Sequence, residues 1–155
     1  MQPDLRKYFD MVEDIIHDHG LDPVRCRGTY PGQYNLKRGS VSVWIDICYL
    51  EWESRSYFQV ISPIMRLPLE DRRRDYYQEV LEINDVLYGV AFTLHNGILW
   101  LKHIRETDSL ERCEIEATLQ RIGYYGDKYD TYLKNKYGEG PSIGDDAPGA
   151  TSQYR

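Results

Sequence analysis

Between Val41 and Leu50 the chain alternates. Val41, Val43, Ile45, Ile47 and Tyr49 are interleaved with Ser42, Trp44, Asp46, Cys48 and Leu50. A period of two describes a strand with one clearly apolar face. Gln33 to Lys37 precedes it through Arg38-Gly39-Ser40, a hairpin signal, and Arg55 to Ile61 follows it through Glu51-Trp52-Glu53-Ser54. Three successive strands joined by short polar turns predict an antiparallel meander. Pro63 and Pro68 are expected to end it.

Helical spacing lies on either side. From Asp4 to His19, the residues Leu5, Tyr8, Phe9, Val12, Ile15 and Ile16 recur at steps of three and four, with Asp4 as N-cap and Gly20 just past the end. From Leu69 to Leu87 the inner face is expected at Tyr76, Tyr77, Val80, Leu81, Asn84 and Leu87, with Asn84 placed to bond the backbone near the helix end. Tyr88 to Leu94 and Ile98 to Ile104 flank Asn96-Gly97, a strong short-range hairpin signal. A last helix begins near Asp108, capped by Asp108 with Glu111 or by Ser109. Its stripe is Ile115, Leu119, Ile122, Gly126, Tyr129 and Leu133. Gly123 and Gly126 each weaken helix propensity by about 1 kcal/mol relative to Ala. Either the helix breaks there or it approaches the sheet closely. The fold class is thus α+β: helix, three-stranded antiparallel meander, helix, β-hairpin, long C-terminal helix. Residues 1–137 form one domain, and the Gly/Pro-rich residues 138–155 form a flexible tail.

The net charge of −6 argues against nucleic acid as partner. The run Arg72-Arg73-Arg74 is flanked by Glu70, Asp71 and Asp75, which cancel its field. No apolar run reaches the ~20 residues of a membrane span, and the N-terminus lacks a signal-peptide core. No membrane insertion is expected. Cys26, Cys48 and Cys113 form no CxxC pair, so a thiolate zinc site is not indicated, and three free thiols place the chain in a reducing cytoplasm.

The stretch from Asp71 to Leu119 carries a more specific pattern. A helix ends in Leu81-Glu82-Ile83-Asn84, a hairpin follows as Gly89 to Leu94 and Ile98 to Leu101, and an acidic helix begins after Thr107. This resembles the bacterial YbjN-like family, whose members often carry an LxxN helix end before that hairpin and which shares the fold of type III secretion (Tir/CesT-type) chaperones. The resemblance covers Leu5 to Tyr137. It implies a secretion-chaperone-like fold and a binding domain, often dimeric, without defining catalytic residues. Chaperones of this fold hold an extended client segment on apolar surface, and the YbjN-like branch is linked with regulation or signalling. The Gly/Pro tail and the 14 tyrosines depart from a compact secretion chaperone.

Catalytic motifs such as GxSxG, the P-loop, HExxH and GxGxxG are absent. Asp14, His17, Asp18 and His19 cluster at a helix end, but His17 and His19 stand about 200° apart around the helix. The bland reading is a solvated helix end. Cys26 lies between Arg25 and Arg27, which would favour a thiolate if they converged, with His95 or His103 as base. Asp46 and Glu51 lack an obvious cleft, and Asp46 could pair with Lys102. No catalytic residue, metal or cofactor is assigned.

Alternation does suggest a binding surface. Val41, Val43, Ile45, Ile47, Phe58, Val60, Leu99 and Leu101 are expected beneath the helices. The opposite face carries Trp44, Cys48, Leu50, Tyr57, Ile61, Trp100 and Ile104 among Asp46, Gln59 and Lys102. Trp44, Leu50, Tyr57, Ile61, Trp100 and Ile104 are therefore the expected partner-binding residues. The expected function is a non-catalytic protein-binding domain, chaperone-like or regulatory adaptor, acting as a homodimer on another protein or peptide segment. The alternatives are a small-molecule or peptide sensor, and a metal-dependent hydrolase using the His/Asp cluster.

Overall fold

A computed structural model describes residues 2–141. The elements are α1 (Arg6–Asp18), α2 (Pro23–Cys26), β1 (Gln33–Arg38), β2 (Val41–Leu50), β3 (Arg55–Arg66), a 3-10 turn (Glu70–Arg72), α3 (Arg73–Val86), β4 (Ala91–His95), β5 (Ile98–Glu106) and α4 (Arg112–Tyr137). The five strands form one antiparallel sheet in the order β1-β2-β3-β5-β4. The meander and the hairpin thus join through β3 and β5.

The inward-facing strand residues behave as the alternation predicts. Val41, Val43, Ile45, Ile47, Phe58, Val60, Leu99 and Leu101 are all buried. They form one cluster with Val12, Ile15 and Ile16 of α1, Tyr76, Val80 and Ile83 of α3, and Ile115, Leu119, Ile122 and Leu133 of α4. At about 25 cal/mol per Å² of apolar surface removed from water, this single cluster is the main stabilising term. The helices thus cover one side of the sheet.

The turn residues do what their chemistry requires. Asn96 and Gly97 both have positive φ, 49° and 72°, the pattern of a type I′ hairpin turn. α4 runs unbroken through both glycines, which resolves the open alternative in favour of close approach. A Cβ on Gly126 would lie 3.1 Å from both γ-carbons of Val41.

Four expectations need correction. β3 does not stop before Pro63 but continues to Arg66, with a bulge between Pro63 and Met65. The β2–β3 register has already ended at Trp44–Ile61, so Pro63 withholds no donor from β2. The inner face of α3 is Tyr76, Val80 and Ile83; Tyr77 is 39% exposed and Leu81 68%. α4 begins later than Asp108, because Glu111 and Glu114 form the reciprocal capping box. At α1 the N-cap position is Leu5, although Asp4 Oδ1 still accepts the Arg6 amide at 2.9 Å.

The start of the expected tail is tied down. Glu139 accepts the Arg66 amide at 3.2 Å, and the Gly140 amide donates to the Leu67 carbonyl at 2.9 Å. Residues 142–155, where the rest of the expected flexible tail falls, lie outside the described residues.

Candidate partner-binding surface

Strand register places the outward-facing residues in rows. One row runs Asn35, Trp44, Ile61, Lys102, Ala91; the next runs Gln33, Asp46, Gln59, Ile104; Cys48 and Tyr57 follow. On the other side of the Trp44 row, Pro63 pairs with Trp100. Trp44 on β2 and Trp100 on β5 lean toward each other across β3, their ring centroids 5.2 Å apart at 49°. A tilted aromatic pair of this kind contributes about 0.5–1.5 kcal/mol beyond its burial. The Trp100 indole N–H donates to the His95 carbonyl at 3.3 Å, which fixes the ring.

Every buried apolar residue of the helices belongs to the cluster on the inner face, and Ile61 and Trp100 stand outside that cluster although both are buried, at 6% and 4% exposure. The Trp44 ring packs against Trp100, and Ile61 stands on β3 between the two strands that carry them. Of the six expected binding residues, Ile61 and Trp100 are therefore not open to a partner in this arrangement. Trp44, Leu50 and Tyr57 are half-buried, and Ile104 is 51% exposed. Trp44, Ile61 and Trp100 converge. Ile104 lies one row away, opposite Gln59, and Leu50 and Tyr57 lie near the turn between β2 and β3. The Tyr57 hydroxyl donates to Glu53, and that bond pushes its pKa up to about 12.

A polar row crosses this apolar face. Asp46 and Gln59 are opposite each other and both buried. Asp46 and Lys102 each have an interaction partner. Glu51 lies in the turn and accepts from Gln2 Nε2 at 3.2 Å, so it and Asp46 do not form a carboxylate pair.

The other candidate chemistry disperses. Asp18 is held by Arg112 Nη2 at 2.5 Å, and His17 sits exposed at 3.7 Å from Asp18. Among the described residues no three His, Cys, Asp or Glu side chains converge. Cys26 is buried, and that burial pushes its thiol pKa up. Arg27 turns away from it to Glu13 at 2.8 Å, and Arg25 faces Asp22. Cys26 adjoins the β1 edge, whereas His95 and His103 lie on β4 and β5. Three strand spacings of about 4.8 Å separate β1 from β5, so no nucleophile–base pair forms.

A group of exposed apolar side chains escaped the sequence reading. Leu81, Val86 and Tyr88 at the end of α3, with Leu94 on β4, are 68%, 60%, 77% and 49% exposed. The signal that could have found it was the excess of apolar positions around α3, more than one buried face can use. No helix among the described residues is long and apolar enough to cross a membrane.

No protein-family model matches the sequence, and no curated protein matches it. Solved structures do match. A chain in the crystal structure of the ExsC–ExsE complex superposes with a TM-score of 0.59 at 13% identity, over 84% of this chain and 96% of that one. A chain in the structure of the HopA1–SchA chaperone–effector complex gives 0.59 at 10% identity, over 83% and 98%. At such identities the likeness is one of fold, and this chain has the α+β, secretion-chaperone-like fold that its element order led us to expect.

Proposed function

We propose that this chain is a non-catalytic protein-binding domain, chaperone-like or a regulatory adaptor, that receives a segment of another protein on the outer face of its sheet. The observation that carries this reading is half-buried Trp44, backed by the buried Trp100, with exposed Ile104 on a face to which no helix contributes a buried apolar residue. Aromatic anchors beside polar rows are the composition of binding hot spots. The fold is shared with a chain of a chaperone–effector complex, which fits the same role. The Leu81-Glu82-Ile83-Asn84 helix end supports placement with the YbjN-like branch.

Exposed apolar side chains at the end of α3 and on β4 supply area for self-association. Leu81, Val86, Tyr88 and Leu94 offer a surface distinct from the tryptophan face, so a homodimer would leave that face free. Leu81→Asp is then expected to lower the sedimenting mass without unfolding the chain.

The test of the binding role is capture of partners by a tagged full chain, with Trp44→Asp and Ile104→Asp as controls. A protein retained by the native chain and lost by either folded variant supports the proposal. Equal retention by both variants places the binding surface elsewhere. A thermal shift with a small molecule and no protein partner would favour the sensor reading, whose site would be the open cleft of about 1050 Å³ lined by Phe9, Cys48, Tyr49 and Trp52.

A further inference from the structure

Between the start of α1 and the end of β2 lies the open cleft of about 1050 Å³. Two features of the chain hold it in shape. Gly32, at φ +88°, sits so close to Phe9 that a Cβ would stand 2.6 Å from the ring and 2.4 Å from the Ile47 carbonyl oxygen. Glycine thus lets the loop close down on the Phe9 ring, which forms one wall. Gln2 Nε2 donates to Glu51 Oε1 at 3.2 Å, tying the segment before α1 to the turn after β2. That turn is closed by the Ser54 amide on the Glu51 carbonyl at 3.2 Å.

The lining combines two chemistries. Leu5, Phe9, Tyr49 and Trp52 supply apolar and aromatic surface, and Asp4 and Glu51 supply two carboxylates. Arg6 also lines the cleft, and the carboxylates outnumber it. Trp52 is 77% exposed, and among the described residues its ring has no aromatic, cationic or hydrogen-bonded partner.

This combination suits a long basic side chain. Aromatic faces attract a cation, apolar walls take its aliphatic stem, and carboxylates meet its charged head. Arginine fits best, because its flat guanidinium both stacks on rings and bonds carboxylates. The cleft is larger than one such side chain, which leaves room for its neighbours on an extended segment. A net charge of −6 attracts a basic partner from a distance.

We infer that this cleft is a second docking site, which takes an arginine of an extended segment of another protein, its guanidinium against the Trp52 ring and the carboxylates of Asp4 and Glu51. The site is separate from Trp44 and Ile104 on the outer sheet face and does not rest on the reading given for that face.

The test uses the full chain and two peptides, acetyl-Gly-Leu-Arg-Leu-Gly-amide and the same peptide with citrulline, the neutral isostere, in place of arginine. The three tryptophans give three indole N–H signals in a nitrogen-15 spectrum, and Trp52→Phe identifies that of Trp52. The arginine peptide should shift the Trp52 signal saturably while those of Trp44 and Trp100 stay in place. The citrulline peptide should bind about tenfold more weakly. Asp4→Asn/Glu51→Gln keeps an amide oxygen to accept the Arg6 N–H and the Gln2 side chain, so the fold holds while both charges go. That variant should bind the two peptides equally. No saturable shift, equal affinity of the native chain for both peptides, or a preference for arginine retained by the double variant overturns the inference. So does a shift at Trp44 or Trp100 in place of Trp52, which puts the peptide on the sheet face. n-Butylguanidinium binding as tightly as the arginine peptide would make the cleft a small-molecule site and overturn the protein segment as its occupant.

Discussion

Asn84 of α3 and Phe92 of β4 are joined by two hydrogen bonds through one side chain. Asn84 Oδ1 accepts the Phe92 amide at 2.7 Å, and Asn84 Nδ2 donates to the Phe92 carbonyl at 3.2 Å. β4 is an edge strand, and the amide closes part of its open side. Asn84→Ala leaves both Phe92 backbone groups without this partner and should cost about 2–3 kcal/mol. Urea denaturation reads the loss, and faster hydrogen exchange at the Phe92 amide shows where it falls.

The turn between β1 and β2 depends on Gly39. Its φ is +60°, and a side chain there would collide with the Asp127 carboxylate. That carboxylate accepts the Ser40 amide at 3.0 Å and the Ser40 hydroxyl at 2.5 Å, locking the turn to α4. Gly39→Ala should cost about 1–2 kcal/mol for the left-handed backbone alone. Combining it with Asp127→Ala should cost less than the sum of the single variants, because the collision is removed.

Gly126 sets how closely α4 approaches β2. Gly126→Leu should destabilise by about 1–3 kcal/mol through overpacking against Val41. Val41→Ala should recover part of that loss in the double variant, measurable by thermal denaturation.

Acid should unfold the protein through identifiable carboxylates. The Arg27 guanidinium beside Glu13 holds its pKa below the usual range. Burial would raise that of Glu79, but the hydroxyls of Tyr132 and Tyr137 and the Lys136 ammonium lower it overall. Ser40 lowers that of Asp127. Their folded pKa values lie below the unfolded ones, so their stabilisation is complete above about pH 4.5 and is lost as pH falls through the folded values. Glu79→Gln should flatten the fall in urea midpoint below pH 4; an unchanged slope would remove Glu79 from the account.

The outer face separates surface from support. Ile104→Lys should change stability by no more than about 0.5 kcal/mol. Ile61→Lys, on a residue only 6% exposed, should cost at least about 2 kcal/mol. Equal thermal midpoints for the two variants would contradict the burial described for Ile61.

The fold was legible where periodicity speaks directly. Alternation from Val41 to Leu50 placed the inner face correctly, and Asn96-Gly97 marked its turn. What failed depends on tertiary context. Pro63 is tolerated because β2 pairing has already ended, which no local rule reports. Tyr77 and Leu81 were counted with the core because apolar positions ring α3, and only docking selects Tyr76, Val80 and Ile83. At the candidate site, parity gave the correct face for Trp44, Ile61 and Trp100. It could not give burial, because that depends on which way the rings lean across β3.

The position of β3 at the centre of the sheet has a kinetic consequence. Its β2 partner lies one short turn away, whereas its β5 partner arrives only after α3 and β4 have been traversed. The meander and the β4–β5 hairpin can each form locally, but the inner cluster closes only when β5 docks on β3, and the loop entropy of that closure must be met first. The rate-limiting event is then the joining of two preformed pieces along one seam. Gly97→Ala, in the turn of a piece formed before that event, should then slow folding and leave the unfolding rate nearly unchanged.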